Sequence, residues 1–385
     1  MPETLLTTDN SRVIFTNHQG TDLPTLVAIV GIHGNEPASI QAMEALFEPK
    51  NKGNFDFKGN VFVLKGNTRA LESRQRYISR DLNRIWTHEN LHLVRMKHEK
   101  APGFSYPELR EMALLDQLIN SIIAVYGSGK ILFADLHTTS ADSCAFLPFN
   151  DTLPNRAMAR HFPVPLILGI EEYLDGPLMS HINDLGYPAL GFEAGKHDDP
   201  QSARRHQAFI KLCMHHLAII HLSPADVLAE EGLLTNDLGI KSGFYEILCR
   251  YPIGPDQKFE MKPGFSNFKP VRKGHELAIN NGIPVRSQYK GMVFLPLYQS
   301  QGEDGFFIVK PVSSFWMGLS KWLRKTFLPK LLPLLPGISQ KSHSENRFLV
   351  DPRIARWLNK EIFHVLGFRI YYSSPGKNWE IIKRD

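Results

Sequence analysis

The chain has few cysteines, no long apolar run and no leader pattern at its beginning. Cys144, Cys213 and Cys249 are an odd number without a Cys-x-x-Cys pair, so neither a disulfide framework nor a thiolate metal site is indicated. No uncharged apolar stretch is long enough to span a bilayer. The first residues do not show the basic and then apolar pattern of a signal peptide. We therefore expect a cytoplasmic protein.

A strong excess of one charge is also missing. The net charge of the 385 residues is +5, and the basic residues are dispersed apart from Arg204-Arg205-His206 and a carboxy-terminal cluster. This pattern predicts no nucleic-acid binding. A hydrophobic content of 43% allows a large core, and the length fits two domains or one domain with appendages.

Apolar runs that suit buried strands alternate with helical patterns in the first part of the chain. Strands are predicted at 26–30, 61–64, 131–136, 165–168 and 189–192, with helices beginning near Pro37, Pro107 and Gln201. The alternation predicts an α/β fold, in which helices cover both faces of a mostly parallel sheet.

Four residues suited to metal chemistry stand at the ends of predicted strands. His33 and Glu36 follow the first strand, while His137 and Glu193 follow two later ones. The carboxyl ends of parallel strands share one sheet edge, where distant residues can converge. A catalytic zinc site uses three ligands of the His/His/Glu kind and one open position, and a further carboxylate can move a proton of water.

Each signal has a plainer interpretation when it is taken alone. The pattern His-x-x-Glu at His33 and Glu36 is short enough to arise by chance, although its flanking glycines permit tight turns around a ligand. A lone His137 would be interpreted as a structural histidine. Asp135 lies on the same strand face as His137 and either orients that imidazole or makes a loop contact.

Five motifs together resemble the succinylglutamate desuccinylase/aspartoacylase family, a branch of the zinc carboxypeptidase-like enzymes. They occur in the family's order over about residues 25 to 200. The motifs are Gly-x-His-Gly-Asn-Glu at 31–36, Gly66-Asn67, Arg-Tyr-Ile and Asp-Leu-Asn-Arg within 76–84, Asp-Leu-His-x-Thr at 135–139, and Gly-Phe-Glu-x-Gly at 191–195. Residues 302–311 give weaker support. The resemblance implies a zinc carboxypeptidase-like α/β fold.

The resemblance also implies a role for each matching residue. His33, Glu36 and His137 match the ligands of one zinc ion per chain. Glu193 matches the carboxylate that takes a proton from water and delivers it to the leaving amine. The residues implied in holding the substrate are Arg76, which matches the arginine that polarises the scissile carbonyl, and Asn83 and Arg84, which match the pair that binds a substrate carboxylate. Without the resemblance, charge patterning would favour a solvated basic loop for these arginines.

One segment departs from the family pattern. Relatives that act on acidic N-acyl amino acids carry an arginine ahead of the Gly-x-Glu strand, whereas residues 176–186 contain no arginine or lysine. His181 is the one candidate cation there, and we expect it to be neutral and exposed. Dicarboxylic substrates are therefore not expected.

These observations predict a zinc-dependent amidohydrolase that cleaves a small N-acylated amino acid or amine bearing a carboxylate. The first alternative is a carboxypeptidase-type metallopeptidase, which would have an open groove. The second is a non-catalytic relative that keeps the zinc site. A homo-oligomer is compatible with each of these interpretations.

Composition changes at two points, which divide the chain into three regions. We expect a catalytic domain at 1–222, a β-rich domain at 223–312 that caps the active site, and a partly helical extension at 313–385. In the extension, Trp316, Leu319 and Trp322 recur at near-helical spacing between basic residues. This pattern is typical of an interfacial helix, but we expect packing on the body of the enzyme or on a second subunit rather than membrane association.

Overall fold

The computed structural model describes residues 11–49, 55–96, 105–235, 239–340, 347–351, 354, 360–371 and 379–384. In the first region, strands alternate with helices as the sequence predicts. The strands are β1 (Val13–Asn17), β2 (Thr25–Val30), β3 (Asn60–Lys65), β4 (Ile131–Thr139), β5 (Leu147–Pro148), β6 (Pro165–Leu168) and β7 (Ala189–Lys196). The helices are α1 (Ala38–Leu46), α2 (Thr68–Ser73), α3 (His88–Met96), α4 (Pro107–Tyr126), α5 (Leu153–Ala159), α6 (Leu178–Asp184) and α7 (Gln201–His216).

Five of these strands form the central sheet, in the order β1-β3-β2-β4-β7. Strands β3, β2, β4 and β7 run parallel, and β1 joins the edge antiparallel. Every residue of β2 and β4 is buried, because helices cover both faces of the sheet. The predicted α/β fold with a mostly parallel sheet is confirmed.

Two separate hydrophobic cores lie on the two faces of this sheet. On one face, Met43 of α1 and Phe209 of α7 pack against Ala28 and Val30. On the other face, Leu115 and Ile119 of α4 pack against Val27. The alternation of side chains along β2 therefore supplies both cores.

The β-rich region that the sequence predicts is also present. Its elements are helix α8 (Pro224–Leu234) and strands β8 (Gly243–Pro252), β9 (Phe259–Met261), β10 (Pro270–Val271), β11 (Glu276–Asn280), β12 (Ile283–Arg286), β13 (Gly291–Phe294) and β14 (Asp304–Pro311). A three-stranded sheet has the order β12-β11-β9, and a six-stranded sheet has the order β10-β13-β14-β8-β6-β5. Since β8 pairs in parallel with β6, this region shares a sheet with the first region. The domain boundary at 222 stays a prediction.

The extension contains more strand than the sequence predicts. Its elements are α9 (Ser314–Arg324), α10 (Leu328–Leu331), β15 (Ile338–Gln340), β16 (Arg347–Val350), α11 (Lys360–Val365), β17 (Phe368–Tyr371) and β18 (Trp379–Lys383). The four strands form an antiparallel sheet, in the order β15-β16-β18-β17. The spacing predicts helix α9, but its large aromatic side chains face solvent. These side chains therefore do not pack on the body of the protein, and packing on a second subunit stays a prediction.

Within the described residues, no helix combines the length and the apolar character that a membrane crossing requires.

Candidate functional site

The three predicted metal ligands meet at the carboxyl edge of the central sheet. His33 and Glu36 lie just after β2, and His137 lies on the neighbouring strand β4. One ligand atom from each side chain lies within 4.8 Å of the others, and all three side chains are buried. No other group of this kind is found in the described part of the chain. The structure thus brings together the residues that the sequence selects.

Glycines allow the chain to turn tightly between β2 and α1. Gly31 has a φ of +67°, a conformation that other residues rarely adopt. A Cβ at Gly34 would lie 1.9 Å from the carbonyl oxygen of Ala70, so any side chain there would clash with α2. These two positions hold the His33 loop against its neighbours and thereby fix the position of the imidazole.

The Glu36 carboxylate lies between the two imidazoles. Its Oε1 is 2.7 Å from Nδ1 of His33, and its Oε2 is 3.3 Å from Nδ1 of His137. The backbone N–H of Thr138 donates to Oε2 at 2.8 Å. Burial alone would raise the pKa of Glu36, but the two imidazoles outweigh burial and hold it well below its usual value. Glu36 is therefore a carboxylate in this site.

Two further carboxylates orient the imidazoles through Nε2, the ring nitrogen that does not face Glu36. Nε2 of His33 is 3.1 Å from Asp81, and Nε2 of His137 is 2.8 Å from Asp135. A carboxylate on Nε2 fixes the tautomer and leaves the Nδ1 lone pair for a metal. Of the two alternatives for Asp135, the structure supports the orienting one. Asp81 was not assigned this role from the sequence, although it lies within the Asp-Leu-Asn-Arg motif.

Glu193 lies beside His137, because the two residues are register partners on β7 and β4. Its backbone pairs with Phe146, and its Oε2 is inaccessible to solvent and has no hydrogen-bond partner. Burial, and then repulsion from Glu36, raise the pKa of Glu193 to about 8, although His137 and Arg76 oppose the shift. A cation held by the neighbouring ligands would lower that pKa again. The carboxylate is thus placed to exchange protons in the pocket.

Arg76 lies within reach of the same group. Its guanidinium donates to Asp81 at 2.9 and 3.1 Å, and Nη1 is 3.5 Å from Oε1 of Glu36. Asp81 therefore contacts both His33 and Arg76 and fixes them relative to each other. Burial opposes ionisation of Asp81, but Arg76 and His33 hold its pKa well below the usual value. The structure places Arg76 in the pocket, as the sequence predicts.

Asn83 and Arg84 also line this pocket, but both already have protein partners. The Asn83 side chain accepts a hydrogen bond from Leu178 N at 2.9 Å and lies 3.4 Å from Nε2 of His137. Arg84 forms a 2.8 Å ion pair with Asp304, which also binds Arg250. This pairing could not be predicted from the sequence, because Asp304 lies 220 positions away. A substrate carboxylate at Arg84 would share the guanidinium with Asp304.

Comparison with known proteins supports the family resemblance that the sequence motifs indicate. A family model, the succinylglutamate desuccinylase/aspartoacylase catalytic domain, matches residues 22–220, which is more than half of the chain. The chain belongs to this family.

Curated relatives match over a shorter part of their length. The succinylglutamate desuccinylase of Pseudomonas fluorescens is 34% identical over 108 residues, which are 28% of this chain and 29% of that protein. The enzyme of the same name from Shewanella amazonensis is 28% identical over 134 residues, which are 34% of this chain and 36% of the relative. The matched parts thus span about a third of these relatives.

Solved structures of the family share the fold over a larger part of the chain. A succinylglutamate desuccinylase/aspartoacylase from Rhodobacter sphaeroides has a TM-score of 0.55 and 17% identity, and covers 78% of this chain and 88% of its own. A desuccinylase from Vibrio parahaemolyticus has a TM-score of 0.53 and 14% identity, and covers 77% of this chain and 84% of its own. At this identity the likeness shows the fold alone.

The family resemblance did not predict how the β-rich region contacts the site. Gln299 accepts a hydrogen bond from Asn35 at 2.8 Å and lies 3.1 Å from Nε2 of His197. Gln301 accepts from the backbone of Arg76 at 3.1 Å. His197 lines the pocket and lies 2.8 Å from Thr138 Oγ1, and burial lowers its pKa. No motif marks Gln299 or His197, so the sequence offered no signal for either.

Much of the remaining pocket wall is apolar, although Thr139, Ser140, Asn150 and Glu303 also line it. Its apolar side chains include Phe149, Ile170, Leu174, Met179, Leu295, Leu297 and Phe307. Among the described lining residues, Arg76 and Arg84 are the only arginines or lysines. The prediction that His181 is exposed is wrong, because it is buried, stacks on Trp86 and contacts Asp116 at 3.3 Å. His181 is therefore held away from the pocket by structural partners.

Proposed function

We propose that this chain is a zinc-dependent amidohydrolase that cleaves a small N-acylated amino acid or amine. The observation that carries the proposal is the convergence of His33, Glu36 and His137 in one buried group, with Glu193 beside it. The family assignment supports deacylation as the reaction.

The charges of the site fit a divalent cation. The carboxyl groups of Glu36, Asp81, Asp135 and Glu193 surround two imidazoles, and the pKa values of Glu36 and Asp81 are held well below their usual range. Buried ionised carboxylates favour a bound cation, and two imidazoles with one carboxylate suit zinc. Zinc held by His33, Glu36 and His137 would supply Lewis-acid polarisation and make a water molecule more acidic.

The protein's own residues would then perform the proton transfers. Glu193 accepts a proton from the attacking water as the new carbon–oxygen bond forms, and delivers it to the nitrogen as the carbon–nitrogen bond breaks. Arg76 lies beside Glu36 and is placed to donate hydrogen bonds to the oxygen that becomes negative. Asn83 and Arg84 are proposed to bind a substrate carboxylate, with Asp304 keeping the Arg84 guanidinium in place.

The apolar wall suggests the kind of group that accompanies this carboxylate. A second negative charge would be removed from water without a partner, because the described lining residues supply no third arginine or lysine. We infer a substrate with one carboxylate and an apolar group.

We propose that residues 223–312 cap the pocket, as the predicted domain organisation requires. Residues 295–297, 299 and 302–304 line it, and Gln299 and Gln301 hydrogen-bond the segments that carry the proposed metal ligands and Arg76. A wall on this side favours small substrates over the chain end of a long peptide, so a carboxypeptidase-type reaction is less well supported.

Zinc binding is the first prediction. The native protein should contain about one zinc per chain, and His137→Ala should lose most of it, because two remaining ligands do not form a stable catalytic site. Elemental analysis after dialysis measures this directly. His221→Ala, which changes an exposed histidine, is the matched control and should keep its zinc. An unchanged zinc content in His137→Ala would remove this residue from the site.

Substrate preference is the second prediction. The kcat/KM for N-acetylaspartate should be about tenfold or more below that for N-acetylleucine, since the second carboxylate would be desolvated without a partner. Met179→Arg adds a cation to the apolar wall and should raise the relative rate for N-acetylaspartate, whereas Met179→Leu should not. If the wild-type protein prefers N-acetylaspartate, the proposed substrate class is wrong.

A further inference from the structure

Helix α9 packs on the protein through one apolar and two polar side chains. Met317, Ser320 and Arg324 are the buried residues of this helix. The Arg324 guanidinium donates to the Asp151 carboxylate at 2.8 Å, and the Ser320 hydroxyl donates to the Val365 carbonyl at 3.0 Å. These buried contacts fix the rotation of the helix about its axis.

That rotation turns the large apolar side chains of α9 outward. Phe315, Trp316 and Trp322 are 70%, 52% and 62% exposed, and Leu319 and Leu323 lie between them on the same side. Beyond α9 the exposed apolar surface continues through Phe327, Leu331 and Leu334. We call these six exposed residues, Phe315, Trp316, Trp322, Phe327, Leu331 and Leu334, the aromatic face. Apolar surface concentrated in this way marks an interaction site.

The charged residues in the sequence stretch that carries the aromatic face are all basic. Lys321 of α9 and Lys325, which directly follows the helix, are exposed and flank the aromatic residues. The sequence contains no aspartate or glutamate between Asp304 and Glu345, so no acidic side chain within this stretch balances them. The face therefore combines exposed tryptophan and phenylalanine with positive charge.

We propose that the aromatic face docks this protein on an anionic lipid bilayer surface. Tryptophan and phenylalanine side chains would enter the boundary between headgroups and acyl chains, while Lys321 and Lys325 would reach the lipid phosphates. A helix in this position lies in the plane of the membrane, so it need not be long enough to cross it. The docking is independent of the hydrolase reaction.

A second copy of the chain fits the face less well than lipid does. In a two-fold dimer the same surface of both copies meets, which would bring Lys321 and Lys325 of the two copies near each other. Within residues 305–344 the sequence supplies no carboxylate to separate them. An anionic surface complements both the apolar and the basic part of the face.

Co-sedimentation of the full chain with vesicles tests the proposal. Vesicles of phosphatidylcholine alone are compared with vesicles that also contain phosphatidylglycerol, at low and high salt. The protein should pellet with the anionic vesicles, and high salt should release much of it. Lys321→Glu/Lys325→Glu should lower the partition coefficient about tenfold or more, because both charges are reversed near the lipid. Trp316→Ala/Trp322→Ala should lower binding at every salt concentration.

Matched variants distinguish a loss of membrane docking from a general effect of charge or of misfolding. Lys273→Glu/Lys290→Glu makes the same charge change at exposed positions of the β-rich region and should keep most of the binding. Thermal unfolding shows that each variant is folded. Absence of pelleting with anionic vesicles, or equal pelleting of the wild type and the two α9 variants, would overturn the proposal. A dimer in solution that Trp316→Ala/Trp322→Ala dissociates, without vesicle binding by the wild type, would assign the face to a second copy.

Discussion

Glu193→Gln should lower kcat by about 10²–10⁴-fold, the usual contribution of a general acid–base group. The amide has nearly the same shape as the carboxylate but cannot accept a proton from water. Folding and zinc content should be unchanged, because Glu193 is outside the group of three proposed ligands and its Oε2 has no hydrogen-bond partner to lose. Initial rates with an N-acyl amino acid, together with elemental analysis, measure both quantities.

A control variant tests whether the loss of activity is specific to position 193. Glu72→Gln changes an exposed glutamate on α2 in the same way and should keep the wild-type rate. If Glu193→Gln retains zinc and turns over within a few-fold of the wild type, the proton acceptor must be another group.

The positions of the proposed metal ligands could be predicted because they depend on local sequence and on a general property of parallel sheets. An apolar run followed by His33 places that histidine at the carboxyl end of β2, and similar runs place His137 and Glu193 on β4 and β7. Parallel strands then bring these ends to one edge. The family motifs contributed the expected roles, and the structure adds the distances that make those roles physically reasonable.

Features that depend on contacts between distant segments could not be predicted in this way. The local sequence does not reveal a partner for Arg84, whereas Asp304 of β14 forms an ion pair with its guanidinium. Nothing near β6 indicates that β8 pairs with it across more than seventy residues. Local patterns specify strands and helices, but the partner of a charged side chain follows from the packing of whole elements.

The orientation of α9 about its own axis is another feature that local sequence patterns do not predict. The spacing of aromatic residues predicts a helix but also suggests that its apolar side faces the protein. In the structure Arg324 takes the inward position, because Asp151 provides a buried carboxylate for it. The long-range ion pair between Arg324 and Asp151 therefore places against the protein the side of α9 that amphipathic spacing would place in solvent.

Asp151→Asn should be strongly destabilising, although Asp151 lies outside the proposed active site. The Asp151 carboxylate is fully buried and contacts three arginines, Arg156, Arg324 and Arg369, of which the last two belong to the extension. Removal of one member of a buried ion pair typically costs about 3–5 kcal/mol, because the remaining charge is left without compensation. We expect a loss of that size in the free energy of unfolding, measured by denaturant titration at neutral pH.

The pH dependence of this loss distinguishes a charge effect from a packing effect. Burial would raise the pKa of Asp151, but the three arginines hold it well below its usual value in the folded protein. A lowered folded pKa gives stability that is complete above the unfolded pKa of about 3.9 and is lost as the pH falls below it. The stability difference between wild type and Asp151→Asn should therefore stay constant from pH 7 to about pH 5 and narrow at lower pH.

Asp56→Asn, which changes an exposed carboxylate paired with Lys58, should have little effect throughout. A difference for Asp151→Asn that does not change at low pH would mean that the side chain acts through packing and not through its charge.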